Sequence, residues 1–394
     1  MLDDPSLIAF TQELVRHKTL SGQEEPAARS VLKRMRLLGF DEAWTDEYGS
    51  VVGIVRGTRS EAGRRILFDA HLDTVDVSSP EKWKHAPFGG ELVDGRIYGR
   101  GASDLKGSAA AMVYAAASLI PMKERLAGEL VVSATVVEEV IEGAALGKVL
   151  ERVRPDWVVI GEATGLNLYR GQRGRGEVTL TTVGRPAHSS NPQVGINAAK
   201  KMIRLLSALD NIPLPTSEFL GPAILELTDI LSSPYPGASV IPDRCEATLD
   251  RRLLVGETEE DVLAPLRETI DRLREVDPDL TADAQIAVSD LMTYTGQALK
   301  VKKFASAWEI PEASLLVQGS LQALRGIGLR PAIGRYAFCT NGSYSAGIAG
   351  IPTIGFGPSR ENQAHVIDEY IDVAELLTAA RGFAAIARKM LGEG

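Results

Sequence analysis

The chain has 394 residues, of which 44% are hydrophobic and 24% charged. That balance belongs to a soluble globular protein and excludes disorder or a collagen-like repeat as a whole-chain reading; the length corresponds to two or three domains. Lys and Arg number 43 against 52 Asp and Glu, a formal net charge of −9, which leaves no basic footprint for nucleic acid or anionic lipid but suits a protein that holds divalent cations.

Residues Ser6–Leu38 carry apolar positions at helical spacing and read as two helices broken near Ser21-Gly22. Short, strongly apolar runs follow, each ending in polar residues. Arg65–Ala70 leads into His71, Leu130–Val137 into Glu138-Glu139, Trp157–Gly161 into Glu162, and Thr353–Gly357 comes near His365. These are expected to be buried strands flanked by helices such as Lys106–Leu119 and Ala144–Val153. In an α/β sheet the C-terminal edge of the strands is where ligand sites are built. The middle of the chain reads differently. Strands are expected at Glu177–Val183, Ala223–Ile230, Cys245–Arg252 and Ala282–Val288, and helices at Val194–Leu209 and Thr258–Val276, the last with Thr258 as N-cap. This βαββαβ order gives a small antiparallel sheet with two helices on one face, and its open edge strand invites covering by a partner. After it, Pro311–Arg325 returns to helix and Ile351–Phe356 to a buried strand. The expected organisation is an α/β domain of residues 1–175 and 290–394, with a mixed central sheet between helices, interrupted by an α+β, ferredoxin-like domain of residues 176–289.

Two cysteines, Cys245 and Cys339, lie far apart. They exclude a disulfide framework and a Cys-based zinc cluster, and fit a reducing compartment. The acidic N-terminus, MLDDPSL, lacks the apolar run of a secretory signal, and the longest apolar stretch, within Ala109–Ile120, is too short to span a bilayer. A cytoplasmic protein without a membrane partner is expected.

Six polar clusters stand out: His71-x-Asp73, Asp104, Glu138-Glu139, Glu162, His188 and His365. Imidazole and carboxylate are the ligands of catalytic zinc, and a pair of such ions clamps a hydrolytic transition state. His71 and Asp73 point the same way if the strand persists, so Asp73 can accept from the second ring nitrogen of His71. Glu138 and Glu139 point apart in extended chain, so that one binds metal while the other faces substrate. Each feature also has a plain alternative: a loop histidine, a solvated strand end, Asp104 as the N-cap of the following helix, Glu162 capping a turn. Their co-occurrence at strand ends of one expected sheet gives the metal reading its weight. The glycines of Gly99–Asp104 imitate part of a dinucleotide fingerprint without its third glycine, Lys106-Gly107-Ser108 lacks phosphate-loop spacing, and Gly342–Gly347 is not a nucleophile elbow.

In order along the chain stand Phe68–Val75 (FDAHLDTV), Tyr98–Gly107 (YGRGASDLKG), Val137-Glu138-Glu139, Gly161–Thr164, Gly184–Ser190 (GRPAHSS) and Gly357-Pro358 followed by Ala364-His365. This set resembles the acetylornithine deacetylase/succinyl-diaminopimelate desuccinylase family of two-zinc hydrolases, which includes carboxypeptidases, dipeptidases and aminoacylases, and the resemblance covers essentially the whole chain. It implies two divalent ions, Zn²⁺ ahead of Mn²⁺ or Co²⁺, one on His71, Asp104 and Glu162, the other on Asp104, Glu139 and His365. It further implies Asp104 as bridge, Glu138 as general base, Asp73 as the group orienting His71, and a cis peptide after Asp104. The inserted domain is implied to form a homodimer, with His188 reaching the partner's site to support the oxyanion and Arg252 holding a substrate carboxylate. The sequence departs from the family pattern at Ser239 before Val240-Ile241-Pro242, at Gly342 in the Thr340-Asn341-Gly342 loop, and at Asp368 before Glu369. These positions, with Thr340 and Asn341, touch substrate recognition rather than metal, and the late loops look closest to a branch described as selenium-metabolism-linked hydrolases or peptidases. The expected activity is hydrolysis of the amide bond of a small N-acyl amino acid, the alternatives being a dipeptidase or carboxypeptidase, or a non-catalytic metal-binding homologue.

Overall fold

The run Arg64–His71 is apolar without alternation because both its faces are covered. Ile66 and Phe68 join the larger cluster of buried side chains, while Leu67 points to the other face, among Val131, Leu146, Val149 and Val158. The computed structural model describes residues 2–59 and 63–392, which divide into two compact units.

The first unit takes Met1–Gln172, Asp290–Lys300 and Trp308–Gly394. Among its described residues, nine strands form one mixed sheet in the order Glu42–Thr45, Val51–Arg56, Gly128–Thr135, Arg64–His71, Trp157–Ile160, Thr353–Gly355, Leu168–Gln172 and Trp308–Glu309, with Ile333–Tyr336 also paired to Leu168–Gln172. The four strands Gly128–Thr135, Arg64–His71, Trp157–Ile160 and Thr353–Gly355 run parallel, so their C-terminal ends open on one edge. Helices Asp4–Arg16, Glu25–Leu37, Gly107–Leu119, Leu315–Gly326 and Val373–Met390 share the larger core with one face of the sheet, and Ala144–Val153 covers the other. The segment Ala102–Arg125 is apolar and long enough to cross a membrane by composition, but 72% of its most apolar window is buried in the protein. Its alanines Ala109–Ala111, Ala115 and Ala116 lie in the core beside Ala379, Phe383 and Ile386. Small side chains let the two helices approach closely.

The second unit takes Arg173–Ser289 and Val301–Ala307. Its sheet has the order Ile224–Ser233, Arg244–Leu253, Gly174–Val183, Thr281–Ile286, all neighbours antiparallel. Helices Ala198–Leu209 and Glu259–Val276 bury Met202, Leu205, Leu263 and Leu266 against Val178, Leu180 and Leu249. Thr258 caps the second helix in a reciprocal capping box with Asp261. The short strand Phe304–Ala305 pairs with the start of Gly174–Val183, and this backbone ladder draws Val301–Ala307 into the unit beyond the expected boundary at residue 289. Ile224–Ser233 is the edge strand, and Leu227, Ile230 and Leu231 on it are exposed.

Candidate metal centre

Four of the polar side chains of the centre, those of His71, Glu138, Glu139 and Glu162, lie at or just past the end of a parallel strand. His71 is the last residue of its strand, Glu138 and Glu139 follow Thr135, and Glu162 follows Ile160 by two residues. Asp104 enters from the turn before helix Gly107–Leu119, across a cis Asp104–Leu105 peptide; with the helix starting three residues later, Asp104 is not its N-cap. His365 follows the strand Thr353–Gly355 in a loop whose Gly357 passes so close to the 161–162 backbone that a Cβ would lie 2.2 Å from the Gly161 oxygen, so no larger residue fits there.

The donor atoms converge on Asp104. Its Oδ1 is 3.1 Å from His71 Nε2, and its Oδ2 is 3.1 Å from His365 Nε2. On the His71 side, Glu162 Oε1 is at 3.5 Å and Glu138 Oε2 at 3.8 Å; on the His365 side, Glu139 Oε1 is at 3.2 Å. Ligand atoms of His71, Glu138 and Glu162 lie within 4.8 Å of one another, as do those of His71, Asp104 and Glu139. His71, Glu138 and Glu162 are buried, whereas the His365 side chain is 49% exposed and marks the open side.

The electrostatics suit bound cations. Asp73, Asp104, Glu138, Glu139 and Glu162 crowd two imidazoles, a set of acids that burial penalises unless positive charge joins it. Burial drives Glu138 well above the usual carboxylate range and Glu162 up to about 7. Hydrogen bonds with Asp104 and Glu139 push His365 up to about 10. Burial alone would raise Asp104, but the His365 and His71 rings hold it below its ordinary range. Glu138 Oε1 is buried with no hydrogen-bond partner among the described residues. An all-oxygen-and-nitrogen donor set with an unpartnered buried carboxylate oxygen fits divalent ions of the zinc, manganese or cobalt type.

Several expectations are corrected. The Asp73 carboxylate does not bond His71: its Oδ1 is 3.6 Å from Nδ1, beyond hydrogen-bond range, and the ring pairs with the Asp73 backbone oxygen at 3.0 Å instead. The strand ends at His71, so strand alternation no longer sets the direction of Asp73. Its carboxylate accepts the backbone N–H groups of Glu138 (3.1 Å) and Glu139 (3.0 Å) and the hydroxyl of Ser21 (2.7 Å). Glu138 and Glu139 do not point apart to metal and substrate. Residues 138–140 form a turn, closed by the Ile141 N–H on the Val137 oxygen at 3.0 Å and entered through Val137 at φ +57°, so the backbone is no longer extended and both carboxylates reach the cluster. Thr340 and Asn341 are not available to a substrate. Thr340 is fully buried and donates to Gln172 Oε1 (2.6 Å). Asn341 donates to Asp69 and Thr135 at 2.8 and 3.0 Å and accepts the N–H of Gly143 at 2.7 Å.

His188 and Arg252 belong to the second unit. The N–H and hydroxyl of Ser190 both donate to His188 Nδ1, at 3.1 and 2.7 Å, so the neutral ring carries its proton on Nε2. Arg252 lays Nε and Nη2 on the two oxygens of Asp250, at 2.6 and 3.2 Å. Two further acids carry the centre without having stood out in the sequence. Glu369, fully buried and paired with Arg100 at 2.6 Å, accepts the N–H groups of Ser103 and Asp104. Glu24 accepts the N–H groups of Gly22 and Val137. The Ser21-Gly22 helix break before Glu24 was the available signal.

The profile of peptidase family M20/M25/M40 matches residues 67–389. The chain belongs to that family. This M20 protein is a metal-dependent hydrolase acting on carbon–nitrogen bonds. It is 32% identical over 384 residues to the uncharacterized protein YgeY of Escherichia coli, covering 96% of this chain and 92% of the relative. It is 29% identical to a succinyl-diaminopimelate desuccinylase of Rhodospirillum centenum, over 68% of this chain and 73% of that one. It is 25% identical to the N-formyl-4-amino-5-aminomethyl-2-methylpyrimidine deformylase of Halalkalibacterium halodurans, over 94% and 91%. Among solved structures, aminopeptidase PepT from Bacillus cereus shares the M20 fold with a TM-score of 0.76 at 19% identity over 99% of both chains. A dinuclear metal-binding peptidase of the family from Bacillus subtilis, YXEP, does so at 0.73 and 16% identity over 98% of both chains.

Proposed function

We propose that this M20 hydrolase cleaves the amide bond of a small N-acyl amino acid, using two divalent ions, Zn²⁺ in the first instance. The observation that carries the reading is Asp104, which offers one carboxylate oxygen to each imidazole at 3.1 Å. One ion would be held by His71, Asp104 and Glu162, the other by Asp104, Glu139 and His365. Ions there supply Lewis acidity to water and to the scissile carbonyl. Glu138, buried between the strand ends with Oε1 unpartnered among the described residues, takes a proton from the attacking water and returns it to the leaving amine. In a homodimer, His188, with its ring proton on Nε2, serves as donor to the oxyanion developing in the partner's site, and Arg252 exchanges Asp250 for a substrate carboxylate. The exposed edge strand Ile224–Ser233 supports homodimer formation through the second unit. A deacylase is favoured over a dipeptidase or carboxypeptidase because curated relatives at 25–29% identity are named for removing succinyl and formyl groups, whereas the individual peptidases it is similar to are structures at 16–19% identity, which show the fold alone. No ligand type or base is missing from the set, which disfavours a non-catalytic homologue.

The test is Glu138→Ala. Metal content, read by mass spectrometry, stays at the wild-type level, and turnover of N-acyl amino acids falls by about 10²–10⁴-fold. Chelation abolishes wild-type turnover and Zn²⁺ restores it. A Glu138→Ala rate near wild type removes the base assignment.

A further inference from the structure

The sequence Ser21–Pro26 offers two adjacent glutamates with opposite fates. Glu25 is on the surface, in a pair with Arg29, while Glu24 is fully buried. A buried carboxylate needs compensating hydrogen bonds, and those of Glu24 are directed at the metal centre. Its Oε1 accepts the N–H of Gly22 at 2.8 Å and the N–H of Val137 at 3.0 Å. Asp73 beside it accepts the next two amides, Glu138 and Glu139. Three consecutive main-chain amides therefore end on two buried acids, and Ser21, from the same turn as Glu24, donates to Asp73 at 2.7 Å. The residue so held is the one that most needs holding. Val137 is β-branched at φ +57°, a conformation that such residues adopt only when their surroundings impose it. Residues 138–140 form a turn, and the torsion at Val137 sets the direction in which that turn, carrying both Glu138 and Glu139, leaves the strand end.

We propose that Glu24 is a positioning residue of the metal centre: its carboxylate oxygen pins the left-handed turn at Val137 and so aims both Glu138 and Glu139 at the cluster. This rests on the reading of Glu138 as base and Glu139 as metal ligand. The negative charge of Glu24 is not what matters; the reach of an sp² oxygen to the Val137 N–H is. Glu24→Gln keeps that oxygen and puts its amide nitrogen at the Oε2 position, which has no hydrogen-bond partner among the described residues. Glu24→Asp keeps the charge and falls short by one methylene.

The experiment compares the two variants in the full-length protein, with Glu24→Ala as a third. Zn²⁺ alone is titrated calorimetrically into metal-free protein, and kcat and KM are measured on the N-acyl amino acid that the wild type turns over fastest. Glu24→Asp and Glu24→Ala are expected to weaken the weaker Zn²⁺ site about 10–100-fold. They lower kcat by a similar factor, with KM within about twofold, at temperatures where circular dichroism shows both fully folded. Glu24→Gln stays near wild type in all three readouts. If Glu24→Ala does not fold, the Asp and Gln variants decide. Glu24→Asp at wild-type affinity and rate, or Glu24→Gln as impaired as Glu24→Asp, overturns the proposal. Wild-type turnover by Glu138→Ala is a separate result: it removes the underlying reading, and this proposal falls with it.

Discussion

Asn341 is the residue at which recognition and architecture predict opposite outcomes. A substrate-contacting asparagine replaced by alanine raises KM and leaves the fold alone. In the structure the side chain joins the Asp69 carboxylate, the Thr135 hydroxyl and the Gly143 amide, and so ties strands Arg64–His71 and Gly128–Thr135 to the start of helix Ala144–Val153. A net hydrogen bond to a charged partner is worth about 1.5–3 kcal/mol and one to a neutral partner about 0.5–1.5 kcal/mol. Asn341→Ala is therefore expected to cost about 2.5–6 kcal/mol, because all three partners stay buried after the side chain is gone. At roughly 2 °C per kcal/mol for a unit of this size, the midpoint of thermal unfolding falls by about 5–12 °C. Differential scanning calorimetry of metal-loaded protein reads the shift, and steady-state kinetics well below the midpoint reads KM, which stays within about twofold of wild type. Unchanged stability with KM raised tenfold would refute the reasoning and return Asn341 to the substrate.

Three further outcomes are expected. Arg100→Met strands the fully buried Glu369 carboxylate, whose partner was 2.6 Å away; breaking such a pair costs about 3–5 kcal/mol, and a thermal midpoint equal to wild type would contradict it. Arg252→Lys loses the planar fork, so KM for substrates with a free carboxylate rises about tenfold, equivalent to about 1.4 kcal/mol, while amide-capped analogues are unaffected; an equal change for both would exclude the carboxylate role. Leu231→Glu, on the exposed edge strand, turns a dimer into a monomer in light scattering at micromolar concentration, and a dimer that survives the change places the interface elsewhere.

What the sequence made readable follows the regularity of its local rules. Helix Ala144–Val153 has the expected bounds, and Thr258 caps its helix, because amphipathic spacing and an N-cap hydroxyl act within a few residues. The strands of the first unit were readable for a related reason: burial on both faces leaves an unbroken apolar run whose end is sharp, and the polar residue after it stands out. His71, Glu138, Glu139 and Glu162 were found by that contrast. The failures begin where the strand stops. Alternation assigned Asp73 to His71, yet His71 is the last strand residue, and two residues further the carboxylate turns to the Glu138 and Glu139 amides. Alternation separated Glu138 from Glu139, and a turn over residues 138–140, entered through the left-handed Val137, brought both to the cluster.

The deeper difficulty is that an acid beside a metal centre has two chemically distinct uses that a sequence writes identically. Asp104 and Glu162 present oxygens to the cluster, whereas Asp73, Glu24 and Glu369 present theirs to main-chain N–H groups that carry its donors or precede them. Both kinds are buried, and both stand next to glycine turns or strand ends. Backbone amides are a natural target for a surplus carboxylate here, because the irregular segments that carry Asp104 and Glu138-Glu139 have no ladder to satisfy their N–H groups, and an unpaired buried amide is costly. Charge alone cannot therefore sort ligands from anchors; length can. An anchor works through the distance from its own backbone to one amide, so shortening it by a methylene is as damaging as removing it, while neutralising it to the amide is tolerated. A metal ligand shows the reverse sensitivity, since an amide oxygen is a far weaker donor to a divalent ion than a carboxylate. Paired Asp and Gln substitutions at Glu24, Glu139 and Glu162 would separate the two classes by that pattern, Glu24 losing function with Asp and keeping it with Gln, and Glu139 and Glu162 losing it with Gln; Glu369 is outside this comparison because its second oxygen holds the buried Arg100.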